Sequence, residues 1–360
     1  MTPTTEKQLR YSKKGKMKNQ LQNTEELVLS DIRLIINQTK ETVSKVITSN
    51  IAVMYWKIGC RINTEILENH RAEYGKQIVA TLSRQLTIEY GRSYEEKNLR
   101  RMIQFAIQFS DVEIVATLWR QLSWSHFKIL IPIKSELERD FYTQMCRIEN
   151  WSVETLRKKI NSLLFQRTAI SKKPEELAKL EIQQLKNEDI LTPDLIFRDP
   201  YLLDFLGLKD TYQEKDLEKA ILREIEYFIL ELGNGFAFLE RQKRMQIDND
   251  DYYLDLLFYH RKLKRLIAID LKIGKFEAAF KGQMELYLRW LEKHEMQEGE
   301  EAPIGLILCT EGNKEQIELL QLDVSNIKVS EYITQFIPNE LLKQKFKKAI
   351  QYSKSKIVSQ

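Results

Sequence analysis

Two short apolar runs in the last third of the chain each carry a carboxylate in their middle. One reads Asp255-Leu-Leu-Phe-Tyr-His260, the other Leu266-Ile-Ala-Ile-Asp270-Leu-Lys272. Both read as buried β-strands, and a buried charge there is costly unless a partner or a metal offsets it. Side chains two apart on a strand point to the same face, so Asp270 and Lys272 share one. If that face coincides with the face of Asp255, two carboxylates converge and repel unless a cation lies between them. Mg²⁺ suits such a place, with Mn²⁺ as the alternative, because it takes octahedral oxygen ligands and needs only one or two carboxylates. A water activated beside a phosphodiester is the chemistry this layout allows. Lys272 would orient or deprotonate that water, or stabilise charge on the phosphorus centre. The plainer alternative is a surface salt bridge between Asp270 and Lys272.

The elements that position these residues follow from periodicity. Helix is expected over 216–232 and 276–293. Strands are expected near 236–247, 252–260, 265–273, 303–309 and 327–331. Further helices are expected at 313–321 and 338–351. Gly233 suits the end of the first helix. On that helix Glu231 and Glu224 share a face, and Glu231 is the first candidate for a third metal ligand, with Glu224 in reserve. On helix 276–293, Gln283 and Tyr287 lie four apart along the margin of the apolar stripe.

The front half is helical in pattern from about Glu25 to Arg167, with Leu27, Leu34, Ile35 and Val43 opening it. Ser93-Tyr-Glu-Glu96 reads as a capping box and Ser152 as an N-cap. Lys97, Arg100 and Arg101 sit near the start of one helix, where groove-reading helices contact bases. Arg157 and Lys158 follow the capped start of another. Arg261, in the basic turn Arg261-Lys-Leu-Lys-Arg265, would touch backbone phosphates. The alternative for each helix is a solvated basic face.

Composition bounds the function. The 360 residues are 43% hydrophobic and 30% charged, with a net charge of +4. No run approaches the ~18 apolar residues of a membrane helix, and the start lacks the apolar core of a signal peptide. Three distant cysteines imply a reducing cytoplasm and no disulfide framework. With no Cys-x-x-Cys pair, structural zinc is not expected. Lysines crowd both ends of the chain, which suits phosphate contact or simply solubility.

Taken together, residues 216–309 resemble the PD-(D/E)xK nuclease superfamily. Its core is an αβββαβ unit with an acid on the second strand and acid-x-Lys on the third, here Asp255 and Asp270-Leu-Lys272. Gln283 and Tyr287 resemble the Gln-x-x-x-Tyr motif of its RecB-like members. Asp270 departs from the commoner Glu by one methylene. More closely, Leu230-Glu-Leu-Gly-Asn-Gly-Phe-Ala-Phe238, Asp255-Leu-Leu-Phe-Tyr-His260, Gly282-Gln-Met and Ile304-Gly-Leu-Ile-Leu-Cys309 resemble the YhcG family of bacterial nucleases. Tyr55-Trp-Lys-Ile-Gly59, Lys97-Asn-Leu-Arg-Arg-Met102, Leu122-Ser-Trp-Ser-His126 and Asn150-Trp-Ser152 resemble that family's N-terminal domain.

The resemblance implies an α+β protein: an all-α domain followed by a restriction-endonuclease-like α/β domain. The expected layout is a basic disordered arm at 1–22, a helical nucleic-acid-binding domain at 23–167 and a linker at 168–200. A nuclease domain at 201–352 and a tail at 353–360 complete it. The expected activity is Mg²⁺-dependent endonucleolytic cleavage of DNA by Asp255, Asp270, Lys272, Glu231, Gln283 and Tyr287. Asp255, Asp270 and Glu231 would be the metal ligands. The expected setting is cytoplasmic, off the membrane, with a homodimer allowed. The alternatives are a non-catalytic DNA-binding or assembly protein that keeps the fold, and an RNA-directed nuclease.

Overall fold

A computed structural model describes residues 51–64, 72–110, 118, 121–208, 211–312, 314–338, 340–344 and 346. The expected arm at 1–22, the tail at 353–360 and the helix opening at Leu27 lie outside these residues. The chain divides into two compact units between Pro132 and Ile133.

The first unit is helical: α1 (51–64), α2 (Ala72–Tyr90), α3 (Glu96–Gln108) and α4 (Trp124–Leu130). Leu99, Met102, Phe105 and Ala106 form the buried stripe of α3 at helical spacing. Tyr55, Ile62 and Val79 meet Leu99 and Met102 in one core. Gly59 lets α1 approach α3, since a Cβ there would stand 1.9 Å from the Met102 carbonyl oxygen. Trp56 Nε1 donates to the Phe109 carbonyl at 2.8 Å and closes the end of this packing. The expected capping box at Ser93 does not form. Arg92–Tyr94 makes a 3₁₀ turn and α3 starts after Glu95, with no side-chain cap.

The second unit opens with α5 (Glu136–Glu149) and α6 (Val153–Asn161), the latter capped by Ser152 Oγ accepting from Thr155 N at 3.1 Å. α7 (Glu175–Glu188) follows. The stretch expected to be a linker is packed structure. Ala178, Ile182 and Leu185 of α7 are buried, as are Leu195, Ile196 and Phe197 beyond it. After β1 (Tyr201–Leu202) come α8 (Glu214–Arg223) and α9 (Ile225–Leu232), β2 (Phe236–Ile247), β3 (Asp250–His260) and β4 (Arg265–Leu271). Then follow α10 (Ala278–His294), β5 (Ile304–Cys309), α11 (Lys314–Leu319) and β6 (Ile327–Ile333). The single helix expected over 216–232 is two, broken at Glu224, whose φ of −107° and ψ of 33° leave helical geometry.

The strands form one six-stranded sheet in the order β1-β6-β5-β4-β3-β2. β2, β3 and β4 are an antiparallel meander, while β4, β5, β6 and β1 run parallel. This is the restriction-endonuclease-like arrangement the sequence implied. Alternation assigns the faces. Leu256, Phe258, Ile267, Ile269 and Leu271 pack with Leu217, Ile221, Phe228 and Leu232 of α8 and α9. Leu257, Ala268 and Ile307 pack with Met284, Tyr287, Leu288 and Leu291 of α10. Each such aliphatic side chain, fully buried, stabilises the fold by roughly 2 kcal/mol. Gly305 leaves room for α10, because a Cβ there would stand 2.5 Å from Met284 Cγ.

Candidate active site

Asp255 and Asp270 project from the α10 side of the sheet, where the residues in phase with them, Leu257 and Ala268, meet α10. The β3–β4 ladder pairs Leu256 with Ile269 and Leu257 with Ala268. Continued by one residue, that register sets Asp255 opposite Asp270, and the two carboxylates are within hydrogen-bonding reach of one another.

Each acid is held differently. Asp255 Oδ1 accepts from Gln242 Nε2 at 2.9 Å, and its Oδ2 accepts from the Leu271 backbone N at 2.8 Å. Asp270 is 2% exposed. Lys272 Nζ stands 2.9 Å from its Oδ2, close enough for an ion pair, yet that oxygen receives no hydrogen bond of good geometry. Burial pushes the Asp270 carboxyl up to about 7; Lys272 pulls it down and Asp255 pushes it further up. Burial lowers the Lys272 ammonium, but the Asp270 carboxylate outweighs it and the net shift is upward. Lys272 also lies over the Phe280 ring, 5.3 Å from its centroid, and its carbonyl accepts from Tyr332 Oη at 3.3 Å.

Gln283 and Tyr287 reach the same neighbourhood from α10. Gln283 Nε2 donates to Tyr287 Oη at 2.6 Å, and Tyr287 Oη donates to the Tyr253 carbonyl at 3.2 Å. Tyr253 lies two residues before Asp255, so this relay ties α10 to the strand that presents the first acid. Burial raises the Tyr287 phenol, keeping it neutral.

Glu231 is not brought into this cluster. Its helix packs on the opposite face of the sheet. There its carboxylate pairs with Arg167 and, at 3.1 Å, with Arg198, and accepts from Leu202 N at 2.9 Å. Burial raises its pKa, but the two guanidiniums outweigh burial and hold it below the ordinary range. Glu231 is thus a structural counter-ion, and the expectation of a metal ligand is corrected. Glu224, the reserve, stands at the helix break and pairs with Arg223. Among the described residues no third His, Cys, Asp or Glu joins the two aspartates in a metal-holding group.

The basic candidates lie on separate elements. Lys97, Arg100 and Arg101 lie on α3 of the first unit, with Arg100 paired to Glu96 and Arg101 bonded to Asn98. Arg157 and Lys158 are exposed on α6, with Lys158 paired to Glu154. Arg261 sits at the far end of the strands, six residues beyond Asp255, or roughly 20 Å at strand rise. Its turn abuts the end of α5, where Lys262 Nζ donates to the Ile148 carbonyl at 2.7 Å. A phosphate at the acids is out of reach of that turn.

Two contacts were not read from the sequence. Glu214 Oε1 accepts from Ile273 N at 3.1 Å, just past Lys272. Gln242 reaches Asp255. The second was findable: a hairpin turning at Asp248-Asn249, with Ile247 paired to Asp250, sets position 242 opposite 255.

The donor set fits a hard divalent cation. Two converging carboxylates, one with a buried oxygen that lacks a hydrogen bond, would hold it, and waters would fill the remaining positions.

Residues 194–348 match the YhcG PDDEXK nuclease domain, and residues 31–167 match the DUF1016 N-terminal domain. The chain is 34% identical over 340 residues to "Putative nuclease YhcG" of Escherichia coli (strain K12), spanning 86% of this chain and 89% of that protein. Among solved structures, a repair endonuclease from Pyrococcus abyssi is 19% identical, over 36% of this chain and 50% of that one, with a TM-score of 0.25. An EndoMS–dsDNA complex is 14% identical, over 36% and 49%, with a TM-score of 0.27. The chain spans about half the length of these two structures.

Proposed function

The chain belongs to the YhcG family of nucleases, and from that premise we propose that it is a Mg²⁺-dependent endonuclease cleaving DNA. The observation that carries this reading is the convergence of Asp255 and Asp270 with Lys272 Nζ 2.9 Å from the second acid.

In this reading Asp255 and Asp270 hold the cation. Such an ion, when bound, makes water a nucleophile at neutral pH and offsets charge on the leaving oxygen. Asp255 is fixed by its two hydrogen bonds and keeps its remaining lone pairs free for ligation. The Lys272 ammonium sits between Asp270 and the Phe280 face and directs positive charge at the scissile phosphate. It orients the attacking water and stabilises the extra negative charge of the transition state. Gln283 and Tyr287 hold β3 against α10, so that Asp255 keeps its place. Lys97, Arg100 and Arg101 of the first unit, with Arg157 and Lys158 of the second, bind backbone phosphates, and that binding weakens steeply with salt.

The test is cleavage of supercoiled, linear duplex, branched and single-stranded DNA, and of RNA, with Mg²⁺, Mn²⁺ or EDTA. Cutting of DNA that requires the metal is the expected result. Tight DNA binding without cutting under any condition would favour a non-catalytic assembly protein. Cutting restricted to RNA would reassign the substrate.

A further inference from the structure

Three polar residues of β2 lie at or beside the ladder position opposite Asp255: Arg241, Gln242 and Lys243. The one that reaches it is the uncharged residue. Lys243 is drawn off by Glu240 at 3.0 Å and Glu295 at 2.8 Å. Arg241 is exposed and sits out of phase, paired along the ladder with Leu256. A guanidinium or ammonium on Asp255 would neutralise it and compete with any ion it holds. A neutral amide fixes the carboxylate's orientation and leaves its charge available.

The backbone at Gln242 is unusual in the same place. Its φ is 46°, in the left-handed region that a residue with a Cβ seldom adopts. The β2–β3 ladder pairs Arg241 with Leu256 and Lys243 with Leu254, and the Gln242–Asp255 step between them is absent from it. The side-chain bond from Nε2 to Oδ1 stands where a ladder pair would be. Backbone strain kept inside a strand, at the residue that touches a candidate ligand, is what a constraint on side-chain aim produces.

We propose that Gln242 is a positioning residue for metal binding: it locks Asp255 in the rotamer that ligates. The second lock is the Leu271 N–H, which comes from the Asp-x-Lys segment itself, so Asp255 is clamped between β2 and β4. This rests on the metal reading above. Partners of a ligand, as opposed to the ligand itself, commonly change affinity 10- to 100-fold.

The test uses the full chain with a non-cleavable phosphorothioate duplex and follows Mn²⁺ binding by electron paramagnetic resonance. Gln242→Met keeps the length and removes the donor. Gln242→Gly removes the donor but suits the left-handed backbone, so it stays folded if the methionine variant does not. Both should weaken Mn²⁺ binding by about 10- to 100-fold. Both should raise, by the same factor, the Mg²⁺ concentration giving half-maximal cleavage. The melting temperature of Gln242→Gly should be no lower than the parent's. Unchanged Mn²⁺ affinity in either folded variant, with the parent binding normally, overturns the role of Gln242 alone. A parent that binds no Mn²⁺ overturns the metal reading and this role together.

Discussion

Asp255 and Asp270 differ in what surrounds them, although they stand opposite each other. The first has two neutral hydrogen-bond donors; the second is nearly sealed from solvent and has one ammonium. The ammonium offsets only part of the cost of bringing two carboxylates together, since Asp270 still stays well above its ordinary value, which is the argument for a cation. Asp255→Asn, Asp270→Asn and Lys272→Ala should each cut the cleavage rate by more than about 100-fold while leaving DNA affinity within roughly 3-fold. Single-turnover kinetics and a filter-binding assay on the same preparations check the pair of outcomes. Loss of binding in step with loss of cleavage would contradict it. Glu231 predicts the opposite pattern. Glu231→Ala leaves Arg167 and Arg198 buried without their counter-charge, so it should cost about 3 kcal/mol of stability. Denaturant titration reads that loss; below the melting range the folded fraction should still cleave at the parental rate.

At the scale of elements, the meander β2–β3–β4 carries a pH sensor of its own stability. His260 ends β3, fully buried against Phe236, with Nδ1 accepting from Leu263 N at 3.1 Å. Burial holds its pKa down to about 4, against 6.5 for a free imidazole. The unfolded chain therefore binds the proton first. The stabilising contribution is complete above pH 6.5 and is lost as pH falls toward 4, by about 3 kcal/mol in all. Melting the parent and His260→Phe between pH 7 and 4 should show the parent losing stability faster; parallel curves would contradict this. The strands and α10 were legible from sequence because alternation and helical spacing are local patterns. The break at Glu224 was not, because nothing within four residues forbids helix there. The fate of Glu231 was not legible either: its partners Arg198 and Arg167 lie 33 and 64 residues away. Asp255, Asp270 and Lys272 were readable because strand phase alone fixes their face. Gln242 needed the hairpin register, and its left-handed backbone leaves no mark in the sequence.

At the scale of the whole chain, the matched N-terminal model ends at 167, whereas the compact unit ends at Pro132. Residues 133–167 belong with the sheet. Lys159 Nζ donates to the Leu230 carbonyl at 3.3 Å, Leu163 packs with Leu342 and Phe346, and Arg167 pairs with Glu231. A fragment of residues 133–360 should thus unfold cooperatively. One of residues 168–360 should be less stable by about 3 kcal/mol, since it takes one of the two guanidiniums from Glu231 and opens this packing. Circular dichroism melts of the two fragments decide it. The sheet's margins have a different consequence. Among the described residues β2 is one edge of the sheet, and its middle is Glu240, Arg241, Lys243 and Arg244, interrupted by a left-handed residue. The other edge, β1, is two residues long. Charged and irregular at one side, too short to template pairing at the other, the sheet resists recruiting a foreign strand. Self-association by edge addition, the common route from an open β-sheet to aggregate, is discouraged at both ends.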